Sequence, residues 1–402
     1  MREASMMRPI RTLLVLCLLA AGCGGGGVPI THTKWTVIVF MNAANNLFPD
    51  STVNMNQMEM VASNPQVRFV VEWKQASISG GTFNSTRRYL VRFDTTNAIK
   101  SQLVQDLGPG YDMGSAAHLL AFIDWAKANY PADRYCLVIW NHGNGWTRAV
   151  QSRGVSYDDE TGNHIDTWQL TQALGGSGFD IIAWDASLMQ QLEVDDEIRD
   201  QATYIVGSEE SPPAAGYPYD KVFAHFRDNP DAPTLTLAKA FVDETLLSYG
   251  GSTFNITQSV IDTSQLAGLA TATSNLADVL SANVATLGII IPEVRTNAQG
   301  YSDSGPEHRL FRDLYGVGLE LENFGAPAPV ITAEQAVRTA ITQAVVYEGH
   351  NALSPGSHGI SIDFHAGSVF TASPPTPTLA LDYQNLRFGQ ETHWGSWLSI
   401  AP

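Results

Sequence analysis

The sequence predicts an α/β fold with a mostly parallel central sheet, and two apolar runs carry this prediction. Residues 135–140 (YCLVIW) and 180–184 (DIIAW) have the length of strands and lack the alternation of a half-exposed strand. Such runs are typical of parallel strands that helices cover on both faces. A helical pattern over residues 165–174 precedes the second run, so the two strands and this helix form a βαβ unit.

The remaining elements follow from the same patterns in chain order. Residues 35–41 indicate a buried strand with a polar exit at 42–46, and residues 115–129 carry apolar side chains at helical spacing. Residues 87–93 alternate arginine with apolar side chains, which predicts a half-exposed strand in a hairpin with an earlier one. We also expect a strand at 67–73, helices at 54–62, 234–249, 263–285, 307–322 and 333–346, and a late strand at 359–364.

Polar turns follow both apolar runs, and each turn holds a side chain that can take part in catalysis. His142 lies in the glycine-containing turn NHGNG, and Ser187 lies in the turn DAS. Because ligands bind outside the carboxyl ends of parallel strands, we expect these two side chains to lie side by side. A base next to a hydroxyl nucleophile is the arrangement of acyl transfer.

These motifs resemble the clostripain-like cysteine peptidases, which have a caspase-like fold. The family pattern is His-Gly after one strand and Asp-Ala-Cys-Leu-Met after the next, and this chain has His142-Gly143 and DASLM at 185–189. Ser187 therefore stands at the position of the nucleophilic cysteine. Further similar segments are KWTVIVFM at 34–41, YPADRY at 130–135, SEE at 208–210, GYPY at 216–219 and HGISI at 358–362.

The resemblance spans roughly residues 34–400 and implies both an architecture and roles for individual residues. It implies a caspase-like three-layer sandwich, with a core over residues 34–232 and a helical C-terminal region over 233–402 that completes the fold. It further implies His142 as the base, with backbone N–H groups of Gly143 and residue 187 forming an oxyanion hole.

The resemblance also implies an acidic pocket for an arginine or lysine side chain of a substrate. Asp185 is the first candidate to line it, and Glu209 and Glu210 are the next. Residues 211–215 (SPPAA) contain no acidic side chain, so a second carboxylate expected there is missing.

The segment between the two motifs suggests two further properties. Family members cut themselves after a basic residue there, and Arg148 and Arg153 are the available positions. The acidic residues 158–160 could hold the calcium on which some relatives depend, or could form an ordinary solvated loop.

The N-terminus predicts export and lipid anchoring. Residues 1–22 combine arginines, a short apolar run and small residues, which is the pattern of a signal peptide. Cys23 follows directly, as in a bacterial lipoprotein signal, and residues 23–33 begin with a glycine-rich tether. We therefore expect a protein anchored by lipid to the bacterial cell envelope; the alternative is an ordinary secretory signal with an incidental cysteine.

Charge and cysteine content exclude several other classes. The net charge of −17 disfavours nucleic acid as a partner and favours cationic peptides. Outside residues 1–23, Cys136 is the single cysteine, so the body of the chain cannot form an internal disulfide. Cys136 precedes His142 by about 20 Å along the same predicted strand, which excludes it as a partner of that histidine.

Three functions remain open at this stage. The chain is a family member that has lost peptidase activity and still binds a peptide or protein, or a hydrolase that uses Ser187 and His142, or a structural surface lipoprotein. An open cleft with Asp185 in it would favour the first two, and a filled cleft would favour the third.

Overall fold

The structure, a computed structural model, describes residues 32–146, 154–301, 311–373 and 378–402. Residues 31–402 form one compact unit. The expected signal peptide, Cys23, Arg148 and Arg153 lie outside the described residues. Within the described part of the chain, no helix is both long enough and apolar enough to cross a bilayer.

Nine strands of the described chain form one large sheet, in the order β13-β10-β9-β8-β5-β1-β2-β3-β4. The strands are β1 (Thr33–Ala43), β2 (Val67–Gln75), β3 (Ser85–Leu90), β4 (Gln102–Gly108), β5 (Ala132–Trp140), β6 (Val155–Asp158), β7 (Asn163–Ile165), β8 (Phe179–Asp185), β9 (Ala202–Gly207), β10 (Thr257–Asp262), β11 (Gly300–Tyr301), β12 (Phe311–Asp313), β13 (Val345–His350) and β14 (Ser361–Asp363). The five central strands, from β9 to β2, are mutually parallel, and the strands at both edges are antiparallel.

The helices are distributed along the whole chain. They are α1 (Phe48–Glu59), α2 (Ala116–Asn129), α3 (Leu170–Leu174), α4 (Leu192–Glu197), α5 (Tyr219–Asp228), α6 (Thr234–Tyr249), α7 (Leu266–Ala282), α8 (Val284–Leu287), α9 (Ile290–Asn297), α10 (Leu314–Asn323), α11 (Ala328–Ala344), α12 (Gly367–Phe370), α13 (Leu379–Tyr383), α14 (Arg387–Glu391) and α15 (Trp394–Leu398).

The central strands separate two apolar cores, which makes the fold a three-layer sandwich. In β1, Ile38 and Phe40 enter one core with α2 and α7, while Val37 and Val39 enter the other core with α1, α5 and α6. Successive strand residues point to opposite faces, so a run that is apolar at every position supplies both cores. The expected α/β fold with a mostly parallel, doubly covered sheet is confirmed.

Several expected elements differ in extent or type. The C-terminal region is not only helical, because β10 and β13 extend the large sheet. The expected helix over 307–322 is wrong at its start: Phe311–Asp313 is a strand, and the helix begins at Leu314. A strand this short carries no periodic signal of its own, and it forms because β11 and β14 pair with it on both sides.

Candidate active site

The turns after β5 and β8 meet at the carboxyl edge of the sheet. Trp140 pairs with Asp185 in the parallel register, and Asn141 N donates to Asp185 O at 3.1 Å. His142 and Ser187 each lie two positions beyond this pair, so both side chains emerge at the same level. They line one cleft of about 140 Å³, together with Leu47, Trp140, Asn141, Asp185, Ala186, Pro212, Pro213, Ala214 and Gly216.

Gly143 allows the two turns to approach each other. A Cβ atom at this position would lie 2.5 Å from Ser187 O and 3.0 Å from the side chain of Ala186. Only glycine permits such close approach of two backbone segments. Gly143 is thus placed directly against the turn that carries Ser187.

The backbone after Ser187 is strained. Leu188 has a φ of 63°, in the left-handed region that residues with a Cβ seldom adopt, at a cost of about 1–3 kcal/mol. Its N–H donates to Glu210 O at 3.4 Å, and its side chain is buried. Between buried Ala186 and Leu188, Ser187 remains partly exposed and faces the cleft. Strain of this kind collects at functional sites.

His142 contacts the loop that leaves β1. Its Nε2 lies 2.7 Å from Asn46 Oδ1. The sequence predicts a polar exit at 42–46 that either lines the site or forms a capped loop, and it does not single out the residue that contacts His142. The pairing spans 96 positions of the chain, so no local motif could reveal it.

Asp185 lies at the base of the cleft and is almost completely buried. Its Oδ2 accepts hydrogen bonds from Tyr219 OH at 2.8 Å and from Tyr217 N at 3.2 Å. Burial raises the pKa of Asp185 to about 6, and the hydrogen bond from Tyr219 acts in the opposite direction. Gly216 packs directly against this carboxylate, since a Cβ there would lie 2.5 Å from Asp185 Oδ2.

The start of α1 brings a second carboxylate into the electrostatic environment of the cleft. The charge of Asp50 contributes to the raised pKa of Asp185, although burial contributes more. Asn54, one turn further along α1, accepts from Trp140 Nε1 at 2.8 Å and donates to Ala215 O at 2.9 Å. The sequence did not predict that α1 contributes to this side of the cleft, because the helix begins at Phe48, six residues before the expected start at 54.

Glu209 and Glu210 are not brought into the cleft beside Asp185. Glu209 is buried, and its carboxylate accepts a hydrogen bond from Gly359 N at 3.0 Å. Glu210 accepts from Ser211 N at 2.9 Å and lines a neighbouring cavity of about 340 Å³, which residues 211–214 also line. Both residues directly follow the exit of β9, where sequence alone does not show which way a side chain turns.

The acidic residues 158–160 form ion pairs with a buried lysine. Lys74 Nζ lies 2.8 Å from carboxylate oxygens of both Asp158 and Glu160. The side chains of Lys74 and Asp158 are fully buried, so only part of this segment, including exposed Asp159, matches the solvated loop that the sequence allowed. The ammonium group takes the place that calcium would need between these two carboxylates. Across the described ranges, no group of three or more His, Cys, Asp or Glu side chains is arranged to hold a metal ion.

Cys136 is completely buried in β5, and burial raises the pKa of its thiol well above the ordinary value. It lies in the apolar core on the side of α1 and α5. Its thiol therefore has neither the access nor the ionisation that a nucleophile needs.

Comparisons with known proteins identify the family. The model of the clostripain family matches residues 39–399. Clostripain from Hathewaya histolytica is 26% identical over 234 residues, which cover 48% of this chain and 42% of clostripain, so the match spans less than half of that relative.

Two solved structures share the fold over almost the whole described chain. An inactive zymogen C11 protease from Parabacteroides distasonis has a TM-score of 0.68 at 18% identity, covering 90% of this chain and 99% of that one. A secreted C11 cysteine protease from Bacteroides thetaiotaomicron, in complex with an irreversible peptide inhibitor, has a TM-score of 0.67 at 20% identity, covering 91% and 99%. With the family match over most of its length, this chain belongs to the clostripain family of peptidases.

Proposed function

We propose that this protein binds peptides in the cleft between the His142 and Ser187 turns, and that its peptide hydrolysis is lost or strongly reduced. The observation that carries the proposal is the open cleft itself, in which a histidine, a partly exposed serine and a buried carboxylate converge. A structural surface protein would have no need of an open cleft or of strained Leu188 at its rim.

Serine at position 187 accounts for the reduced hydrolysis. A cysteine beside an imidazolium ion has a substantial thiolate fraction at neutral pH, because its pKa of about 8.5 falls in such surroundings. A serine hydroxyl stays protonated and must lose its proton to an aligned base during the attack. Each tenfold loss in rate corresponds to about 1.36 kcal/mol of barrier.

The proposed ligand is a peptide with a basic side chain. Asp185 provides a carboxylate at the base of the cleft, and Asp50 adds negative charge nearby. The net charge of −17 would attract such peptides over a longer range. The bound peptide inhibitor belongs to the Bacteroides relative, and its presence supports a peptide as the kind of ligand for this fold.

A second candidate function is slow hydrolysis by Ser187 with His142 as the base. The left-handed conformation of Leu188 favours it, because this turn leaves Ser187 partly exposed in the cleft. In this case the N–H groups of Gly143 and Ser187 would stabilise the oxyanion. An active Ser187 could also cut the chain itself after Arg148 or Arg153.

Turnover of fluorogenic arginine and lysine peptides distinguishes the two functions. The natural protein is compared with Ser187→Cys and His142→Ala, with and without calcium. We expect no cleavage by the natural protein and cleavage by Ser187→Cys that depends on His142. Cleavage by the natural protein that His142→Ala abolishes would instead make Ser187 a working nucleophile.

We also propose that the protein is exported and anchored by lipid on Cys23 to the bacterial cell envelope. The signal-like residues 1–22 support export, and the Bacteroides thetaiotaomicron relative is described as secreted. Membrane fractionation of the natural protein and Cys23→Ser tests the anchor. The variant should move to the soluble fraction, and a variant that remains with the membrane would contradict lipidation at this residue.

A further inference from the structure

The tip of the loop after β1 carries a side chain that contacts the ring of His142. Asn46 Oδ1 lies 2.7 Å from His142 Nε2. An amide oxygen only accepts hydrogen bonds, so in the neutral ring this contact favours the tautomer in which Nε2 donates and Nδ1 carries the lone pair that a base needs. The same contact limits rotation of the ring. In hydrolases that use serine or cysteine, a third group commonly holds the base in this way.

The loop that carries Asn46 is held in place by other groups. Asn42 Nδ2 and Asn45 Nδ2 donate to Tyr157 O at 3.1 and 3.0 Å, and Asp159 N donates to Ala44 O at 2.9 Å. Asn42 and Asn45 are buried, whereas the side chain at the tip is exposed. Removal of the Asn46 side chain therefore leaves the anchoring of the loop intact.

We propose that Asn46 is the positioning residue of the site: it orients His142 and holds it in the Nε2–H tautomer, so that Nδ1 serves as the base toward position 187. Asn46 is neutral, so it fixes the ring without the additional charge that a carboxylate would bring. The inference rests on the proposed function, because it requires His142 and residue 187 to act as a pair.

The pH dependence of thiol alkylation in Ser187→Cys provides the test. The full chain is treated with iodoacetamide between pH 5 and pH 10, and modification is followed by mass spectrometry on the peptide that contains position 187. This separates the introduced thiol from the natural cysteines. We expect a pKa clearly below the ordinary thiol value of about 8.5, because His142 stabilises the thiolate.

Adding Asn46→Ala should move the alkylation profile back toward 8.5 and lower the rate at pH 6 at least about tenfold. Asn46→Asp retains an acceptor for Nε2 and should keep the low thiol pKa. Asn97→Ala, in an exposed loop, is the matched control and should change nothing. Thermal unfolding of each variant shows whether the fold is retained; a structural role alone would not move the pH profile.

Two other outcomes would overturn the inference, and they differ in what else they overturn. If His142→Ala raises the thiol pKa and Asn46→Ala does not, the pair exists and Asn46 does not position it. If His142→Ala itself leaves the profile unchanged, His142 and residue 187 do not act together, and the proposed active-site pairing fails as well.

Discussion

The affinity of the cleft for a basic peptide should depend on the ionisation of Asp185. A guanidinium group binds an ionised carboxylate more strongly than a neutral carboxyl group. The affinity should therefore follow the fraction of Asp185 that is ionised. With a pKa of about 6, that fraction is about 0.1 at pH 5 and almost complete at pH 7.5. We therefore expect the affinity for an arginine peptide to rise about tenfold over this range and to level off above pH 7.

Fluorescence polarisation with a labelled arginine peptide measures this change. The same peptide with citrulline in place of arginine keeps the shape and removes the charge, and its affinity should not change with pH. Asp185→Asn retains an oxygen acceptor for Tyr217 N and Tyr219 OH. It should remove the pH dependence and weaken binding of the arginine peptide at pH 7.5 by about 10-fold or more. This factor corresponds to the free energy that a hydrogen bond to a charged group contributes.

Asp133→Asn is the matched control for this experiment. Asp133 lies on β5, near the end opposite the cleft, and its side chain is 64% exposed. The variant removes the same charge from the chain and should leave binding unchanged. The reasoning would be refuted by an arginine peptide that binds equally at pH 5 and pH 7.5, or by a pH dependence that survives in Asp185→Asn.

Three further predictions concern contacts around and beneath the site. Gly143→Ala should weaken peptide binding at least about tenfold in the same polarisation assay, because the added Cβ would force the two turns apart. Gly268→Ala is the control and should have no effect, since open space surrounds Gly268. Burial raises the pKa of Glu193 to about 8. Its protonated form therefore stabilises the fold below about pH 4.5, and that stability is lost as the pH rises toward 8. Relative to Glu193→Gln, the natural protein should lose about 3 kcal/mol of unfolding free energy between pH 5 and pH 8 in urea titrations; parallel curves would contradict this. Lys74→Met should cost about 3–5 kcal/mol in the same titrations, because it leaves a buried carboxylate without its cation, and a loss below 1 kcal/mol would show that this carboxylate is stabilised otherwise.

The parts of the site that sequence predicted are those with a local signal. The apolar runs before His142 and Ser187 report burial on both faces of a sheet, and the polar turns report where each strand ends. Parallel pairing then brings the two turns to one edge, and the register between Trp140 and Asp185 places them at the same level. Asp185 is the last residue of β8, and the same register brings it to the cleft that it lines.

The charge of the site could not be assigned from sequence in the same way. Glu209 and Glu210 follow a strand end as Asp185 does, and yet one accepts a hydrogen bond from Gly359 N and the other lines a neighbouring cavity. Side chains alternate between the two faces within a strand, but this alternation does not continue into the loop after it. The direction of a side chain in that loop therefore cannot be predicted from the sequence. The acidic residues 158–160 suggested a cation site, and the cation proved to be Lys74, 84 positions away from Asp158.

The sequence by itself determined the parallel centre of the sheet, the two strand ends and the side chains that they carry, because each depends on a short apolar run and the turn beside it. The tertiary structure decided which groups meet: Asn46 with His142, and Lys74 with Asp158. These pairs join elements that are far apart in the chain, and their energies depend on burial and distance. Both quantities exist only after the layers have packed.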